Sequence, residues 1–182
     1  MILGIISDSH DDLTNINRAI DIFLEKNVEL IIHAGDIISP PIIQEFKRVT
    51  DKGIRFCGIL GNNDGEKNGL KEMFNFINGE FLGEEGKIDV DGLKIGIYHG
   101  HEIKKKNKMI NSGKFDVFIY GHSHNRDPKD EKLNIVGKTI IFNPGSSHSP
   151  AQSMVGERNY FREPSILIFN TKNKDFNFID LK

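Results

Sequence analysis

The first half of the chain alternates short apolar runs with segments whose apolar residues recur at helical spacing. One helix is predicted from about Asn15, with Asp12 or Thr14 as its N-cap. A second helix opens at Pro40-Pro41, because proline is tolerated in a first turn, and a third follows the last apolar run. The apolar runs have the length of buried strands and span about residues 2–7, 28–33 and 54–60. This βαβαβα order predicts a parallel sheet with right-handed crossovers.

The second half of the chain is patterned for hairpins instead. Residues 87–90 and 93–98 flank Asp91-Gly92, a pair that favours a type I′ turn. A Lys-rich helix is predicted at about 102–112, and further strands at about 115–120, 133–136, 139–142, 165–169 and 176–179. We therefore predict an α/β fold, a four-layer α/β/β/α sandwich of two mixed sheets flanked by helices. Residues 1–182 are expected to form a single domain, because the chain is too short for two ordinary ones.

The composition and charge of the chain limit the kinds of partner. The formal net charge is −2 and the pI is about 6.4, so the overall balance does not indicate nucleic acid or an anionic membrane surface. The single cysteine excludes an internal disulfide framework. No apolar stretch approaches the roughly 20 residues that span a bilayer. We therefore expect a cytoplasmic protein without a membrane partner.

Five short polar motifs follow the apolar runs, where strands would end. Ligands in open α/β sheets bind beyond the carboxyl ends of strands, so polar residues at five such ends indicate one site. The motifs supply carboxylate, amide and imidazole donors without a thiolate, a set that suits Mn²⁺, Fe, Zn²⁺, Ni²⁺ or Mg²⁺. They are Asp8-Ser9-His10, Gly35-Asp36, Gly61-Asn62-Asn63-Asp64, His99-Gly100-His101 and Gly121-His122-Ser123-His124. We predict from them a two-metal hydrolase of phosphate esters.

The spacing within the motifs has a local geometric interpretation. If the chain stays extended after the first strand, alternation puts Asp8 and His10 on the same side, where both could hold one cation. His122 and His124 repeat that spacing, and the glycines within the motifs allow sharp turns. Taken alone, each motif has a simpler explanation, such as a helix N-cap for Asp36 or an ordinary turn for the Asn-rich motif. Five motifs in this order favour the joint metal site.

The ordered set of motifs resembles that of the calcineurin-like metallophosphoesterase superfamily. The short chain, the form His99-Gly100-His101 and the segment Asn143-Pro144-Gly145-Ser146 are similar to its small prokaryotic phosphodiesterase branch. The resemblance runs from Ile5 to Ser146 and weakens beyond that point. It implies metal-dependent hydrolysis of phosphodiester bonds by a hydroxide that two metal ions activate, without a covalent enzyme intermediate.

The resemblance also implies a role for each of seven side chains. The first metal would be held by Asp8, His10, Asp36 and His124, and the second by Asp36, Asn62, His99 and His122, with Asp36 bridging. Two divalent ions are the expected cofactors, Mn²⁺ foremost, with Ni²⁺, Fe, Zn²⁺ or Mg²⁺ as alternatives. The expected substrate is a small phosphate ester, and relatives of this type suggest a homo-oligomer such as a dimer.

One position departs from the family pattern. Many members have a histidine between the Asn and Asp of the third motif, in the position of a general acid for the leaving group. Here that residue is Asn63, which cannot donate a proton in that role. His101 is the candidate replacement, with a solvated imidazole as the alternative, and Asp64 is then expected to bond backbone groups of its turn. Phosphodiesters and activated aryl esters should therefore be preferred over alkyl monoesters.

Two functions of other kinds stay open. A eukaryotic retromer subunit with this fold serves mainly in protein assembly, so a non-catalytic binding scaffold is one alternative, although the complete ligand set favours catalysis. A nuclease is the other, and it would need a basic groove that a pI of about 6.4 does not indicate. The long loop at 145–164, which contains His148, Arg158 and Arg162, is the expected source of substrate specificity.

Overall fold

Two six-stranded mixed sheets form the centre of the protein. The computed structural model describes residues 1–130, 132–149, 151–152 and 161–182. The strands in chain order are β1 (Ile2–Ile6), β2 (Leu30–His33), β3 (Arg55–Gly58), β4 (Glu80–Phe81), β5 (Glu85–Val90), β6 (Leu93–Tyr98), β7 (Val117–Ile119), β8 (Arg126–Asp127), β9 (Asn134–Val136), β10 (Thr139–Pro144), β11 (Ala151–Gln152), β12 (Phe161–Arg162), β13 (Ser165–Asn170) and β14 (Phe176–Asp180). The first sheet has the order β14-β13-β1-β2-β3-β4. The second has the order β5-β6-β7-β10-β8, with β9 also paired to β10, and β11 pairs with β12.

The helices lie on the outer faces of the sheets. They are α1 (Leu13–Glu25), a 3₁₀ helix (Pro40–Phe46), α2 (Lys47–Thr50), α3 (Lys67–Phe76) and α4 (Ile103–Ile110). Asp12, one of the two predicted candidates, is the N-cap of α1 and accepts a hydrogen bond from the Asn15 amide at 3.0 Å, and the helix begins two residues before the predicted start. Among the described residues, none of the helices has the length and apolar character needed to cross a bilayer.

The segment that opens at Pro40-Pro41 differs from the helix that the sequence predicted. Its first seven residues form a 3₁₀ helix, and only Lys47–Thr50 make an α turn. The Ile42 amide bonds to the Ser39 carbonyl three residues back, which is the tighter 3₁₀ pattern. The prolines are compatible with either kind of helix, because the first amides of a helix have no partner within it. Ile43 and Phe46, the buried residues of this segment, lie three residues apart, which is the spacing of one 3₁₀ turn.

The first sheet has the parallel half that the βαβαβα pattern predicted. Strands β1, β2, β3 and β4 pair in parallel, and β13 with β14 extends the sheet in antiparallel fashion beyond β1. The hairpin of β5 and β6 turns at Asp91 and Gly92, whose φ angles of 50° and 76° are those of a type I′ turn. The two-residue strands β4 and β8 were not predicted, because periodicity needs a longer run.

Three apolar clusters fill the spaces between four layers. The first joins α1, α2, α3 and the 3₁₀ helix to the first sheet, with Phe23, Phe46 and Phe74 at its centre. The second lies between the sheets, and the third joins α4 to the second sheet around Phe115 and Phe118. The predicted α/β fold, with two mixed sheets flanked by helices, is therefore confirmed. That residues 1–182 form a single domain stays a prediction.

Candidate metal centre

Six of the seven predicted metal ligands converge in two groups. Within each group, one donor atom of each residue lies within 4.8 Å of the donor atoms of the others. The groups are Asp8 with His10 and His124, and Asp36 with His99 and His122. They adjoin each other, because His10 Nε2 lies 3.6 Å from an Asp36 oxygen and His99 Nε2 lies 3.8 Å from an Asp8 oxygen. The carboxyl ends of strands from both sheets therefore meet at one site.

The backbone conformation at the ligands differs from the one expected. The extended conformation assumed for Asp8 and His10 is wrong, because β1 ends at Ile6 and their φ angles are 53° and 41°. His122 and His124 likewise lie beyond β7 with φ angles of 64° and 54°. Non-glycine residues in this left-handed region cost roughly 1–3 kcal/mol each and cluster at functional sites. Sharp turns, and not strand alternation, bring these side chains together.

Glycines make the close approach of the ligand loops possible. A Cβ atom on Gly61 would lie 2.1 Å from an Asp36 oxygen, and one on Gly121 would lie 2.0 Å from the Ser7 hydroxyl oxygen. Either contact is too short for a side chain, so only glycine fits. The predicted use of glycine at these motifs is consistent with this packing.

Asp64 holds two of the ligand loops together. Its buried carboxylate accepts hydrogen bonds from the backbone amides of Asp36, Ile37, Ile38 and Gly61, at 2.6–3.0 Å. The bonds join the turn after β3 to the turn after β2. All four donors are backbone groups, which agrees with the structural role expected for this residue.

The segment after β10 supports the other loops. The Asn143 side-chain amide donates to the Gly121 carbonyl at 2.9 Å and to the Ser123 hydroxyl at 3.0 Å. The Ser146 hydroxyl donates to the Asp8 carbonyl at 2.9 Å. These bonds reach the loops that carry the ligands, and not the ligand side chains themselves. The support is therefore exerted through the backbone.

Two ligand histidines present nitrogen atoms that have no hydrogen-bond partner. His99 Nδ1 donates to the Ala34 carbonyl at 2.9 Å, which directs Nε2 toward an Asp36 oxygen 3.2 Å away. Among the described residues, His99 Nε2 and His10 Nε2 are buried without a hydrogen bond. A buried polar atom left unpaired costs roughly 1–3 kcal/mol, so these nitrogens are suited to binding a ligand. Their chemistry fits a divalent metal ion.

The charges at the site are strongly coupled. Burial alone would raise the pKa of Asp36, but the His99 ring beside it and the hydrogen bonds from Asn63 hold that pKa well below its usual range. Burial alone would lower the pKa of His99, but the Asp36 and Asp8 carboxylates raise it to about 9. Burial lowers the pKa of His122. Two buried carboxyl groups among four imidazoles, of which that of His99 is buried, thus create a site that favours positive charge.

The remaining predicted residues lie at the edge of the two groups. Asn62 is exposed in the turn after β3. Asn63 donates to both Asp36 oxygens, from its amide at 2.9 Å and from its side chain at 2.7 Å. The His101 ring lies 5.9 Å from the His99 ring and 6.2 Å from the His122 ring. Its Nδ1 is buried and has no partner among the described residues.

His148 is a residue at the site to which sequence reasoning gave no role. Its ring lies 5.5 Å from the His10 ring, and its Nδ1 is buried without a hydrogen-bond partner among the described residues. Its amide bonds to the Asp8 carbonyl at 3.2 Å. His148 and His101 therefore stand at opposite ends of the two ligand groups. Of the two loop arginines, Arg158 lies outside the described residues, as does the side chain of Arg162.

Comparison with known proteins identifies the class to which this fold and site belong. A model of the calcineurin-like phosphoesterase superfamily domain matches residues 1–174. The chain therefore belongs to the calcineurin-like phosphoesterase superfamily, as its motifs predicted, and members of this family depend on a dinuclear metal site.

Individual relatives agree with this assignment. A protein named as a phosphodiesterase from Methanocaldococcus jannaschii is 37% identical over 183 residues, which cover 100% of both chains. A solved structure described as a novel archaeal phosphodiesterase has a TM-score of 0.82 and 36% identity, again over 100% of both chains. The structure of YfcE, a phosphoesterase from E. coli, has a TM-score of 0.65 at 16% identity over 100% of both chains and shows the likeness of fold alone.

Proposed function

We propose that the protein is a dinuclear metal-dependent phosphodiesterase. The observation that carries this proposal is the pair of adjoining groups, Asp8 with His10 and His124 and Asp36 with His99 and His122. The similarity to a full-length relative named as a phosphodiesterase supports the choice of diesters. Buried, unpartnered nitrogens at His10 and His99 favour catalysis over a binding scaffold, which has no need to retain them.

In this proposal the chain supplies ligands for two ions, and Asp36 lies between the two sets of donors. Its oxygen is 3.6 Å from His10 Nε2 and 3.2 Å from His99 Nε2. Asn62 would complete the second set from its exposed turn. Two divalent ions, when bound, polarise the phosphoryl oxygens and lower the pKa of a water molecule. We propose Mn²⁺ as the native ion, with Ni²⁺, Fe, Zn²⁺ or Mg²⁺ as alternatives.

The residues around the ligands would hold and orient the substrate. Asn63 fixes the Asp36 carboxylate through two hydrogen bonds. His101 and His148, each with a buried unpaired nitrogen, could donate to the phosphate ester from opposite ends of the site. We propose small phosphate esters as substrates and His101 as the general acid. A cytoplasmic location and self-association stay predictions.

Removal of metal provides the direct test of this function. Hydrolysis of an aryl phosphodiester should fall to the background rate after chelation and return when Mn²⁺ is added, because no protein side chain replaces the ions. Initial rates measure the effect, and circular dichroism of the chelated protein serves as the control for folding. Full activity in exhaustively chelated, folded protein would contradict the proposal.

The role of the general acid predicts a dependence on the leaving group. A His101→Gln variant should lose about 10²–10⁴-fold in rate on diesters with poor leaving groups, and little on activated aryl diesters. The reason is that only a poor leaving group needs a proton as the bond to phosphorus breaks. Rates across a series of diesters with graded leaving-group pKa measure this difference.

A matched His148→Gln variant tests whether His101 or His148 donates the proton to the leaving group. If His101 is the acid, the loss in His148→Gln protein should be similar for all leaving groups. A loss that grows with leaving-group pKa in the His148 variant would instead place the acid at that end. A wild-type rate that already falls steeply with leaving-group pKa would show that neither residue acts as an acid.

A further inference from the structure

A groove lined by lysines runs along the outer face of the second sheet beside α4. It consists of two adjoining cavities of about 260 and 370 Å³ that share Lys87, Lys114 and Phe115. We call it the lysine groove, and its lysines are Lys87, Lys94, Lys105, Lys108, Lys114 and Lys138. Among the described residues that line it, two are acidic, Glu85 and Asp89.

The lysine groove is positive although the chain as a whole is slightly negative. Lys105 is neutralised by Glu85 at 2.8 Å, and Lys138 by Asp116 at 2.9 Å. In the described part of the chain, Lys87, Lys108 and Lys114 have no ion pair. The lysine groove therefore has an excess of exposed ammonium groups that the net charge of −2 for the whole chain does not reveal. Such a patch is what an anionic chain would bind.

The register of the hairpin places one end of the lysine groove at the metal centre. Along β5, Asp89, Lys87 and Glu85 share the exposed face, and Glu85 lies opposite Tyr98. The four residue steps from Asp89 to Glu85 span about 13 Å. Lys105 Nζ lies 4.7 Å from the centre of the Tyr98 ring, and the Tyr98 hydroxyl is 3.3 Å from His101 Nε2. The Tyr98 side chain therefore lies between the lysine groove and His101, the proposed general acid.

Resting on the proposed function, we propose that the lysine groove binds the backbone of a single-stranded nucleic acid whose end enters the metal centre. A strand rises about 3.4 Å per nucleotide when it is stacked as in a duplex and more when it is extended, so a groove of about 13 Å accommodates at most about four nucleotides. Lysines of α4 lie on one side of the groove and lysines of the β5–β6 hairpin on the other, so one phosphate backbone can contact both sets. Water would cleave one P–O bond of the strand, leaving a phosphate monoester on one fragment and a hydroxyl on the other.

The lining of the lysine groove determines what it can recognise. Its apolar floor includes Phe115, which is only 5% exposed and offers no face for base stacking. Apart from Ser112, Glu85 and Asp89, the described polar side chains that line it are lysine ammonium groups, which contact phosphates and carry no sequence information. Binding should therefore depend on salt and strand length, and not on base sequence.

A triple variant tests the proposal against a matched control. Lys87, Lys108 and Lys114 are changed to Gln in one protein, and the exposed Lys52, Lys71 and Lys172 in the control. Metal-loaded proteins are titrated with labelled phosphorothioate DNA and RNA strands, which keep their charge and resist hydrolysis. Loss of three contacts should make the slope of log K against log salt less steep by about 2, because each contact in a single strand contributes about 0.7. The control should keep the wild-type slope.

Kinetics separate this proposal from the proposed function. The groove variant should cleave short DNA or RNA strands with a raised KM, and its rate on an aryl phosphodiester should equal that of wild type. Equal effects of both triple variants, or no binding of strands by wild type, would overturn the nucleic-acid proposal while leaving the diesterase intact. A wild type that binds strands but hydrolyses no diester would instead overturn the proposed function.

Discussion

An Asp36→Asn variant should lose hydrolysis of aryl phosphodiesters while it keeps its fold. Asp36 contacts both ligand groups, since its oxygen lies near His10 and His99, so an amide weakens both proposed metal sites at once. Loss of an outer partner of a metal ligand costs about 10–100-fold, and loss of this ligand should cost more. The asparagine still offers an oxygen to the Asn63 amide. Initial rates and the bound metal per protein, measured by mass spectrometry, give the two readouts.

An Asp51→Asn variant is the matched control for this experiment. Asp51 is an exposed carboxylate that pairs with Lys47 on α2. Its replacement should change neither the rate nor the metal content. If Asp36→Asn protein binds a full complement of metal and turns over normally, the proposed bridging role of Asp36 is wrong.

An Asp64→Ala variant should be destabilised by at least about 3 kcal/mol in its free energy of unfolding. The substitution leaves four backbone amides without their acceptor, and each buried unpaired donor costs roughly 1–3 kcal/mol. It also releases the turns that carry Asp36 and Asn62, so activity should fall with stability. Urea unfolding followed by circular dichroism measures the change.

Two further variants, Asp64→Asn and Asp89→Ala, serve as comparisons for this unfolding measurement. Asp64→Asn keeps the shape and one acceptor oxygen, so it should lose less than Asp64→Ala. Asp89→Ala removes an exposed carboxylate on β5 and should change the unfolding free energy by about 0.5 kcal/mol or less. An Asp64→Ala variant as stable as Asp89→Ala would show that water replaces the carboxylate at those amides.

The sequence by itself determined most of the helices and strands, and it identified the motif residues that place the protein in its family. Apolar runs and helical periodicity are local properties, so they predicted β1, α1 and the β5–β6 hairpin, and the Asp12 cap needed only its own turn. The motif residues predicted the family, which the match over residues 1–174 confirmed. Their roles as metal ligands and His101 as an acid stay proposals.

Contacts between distant parts of the chain were decided by tertiary structure alone. Asp8 meets His124, and Asp36 meets His99, only because two sheets stack with their strand ends at the same edge. Left-handed turns at these ligands are imposed by packing that glycines allow and by bonds such as those of Asp64, and no local pattern encodes them. For the same reason His148 joined the site unpredicted, and lysines from β5, β6 and α4 formed a groove that an overall charge of −2 does not reveal. Local preferences depend on neighbours in sequence, whereas a site depends on which surfaces are buried against each other.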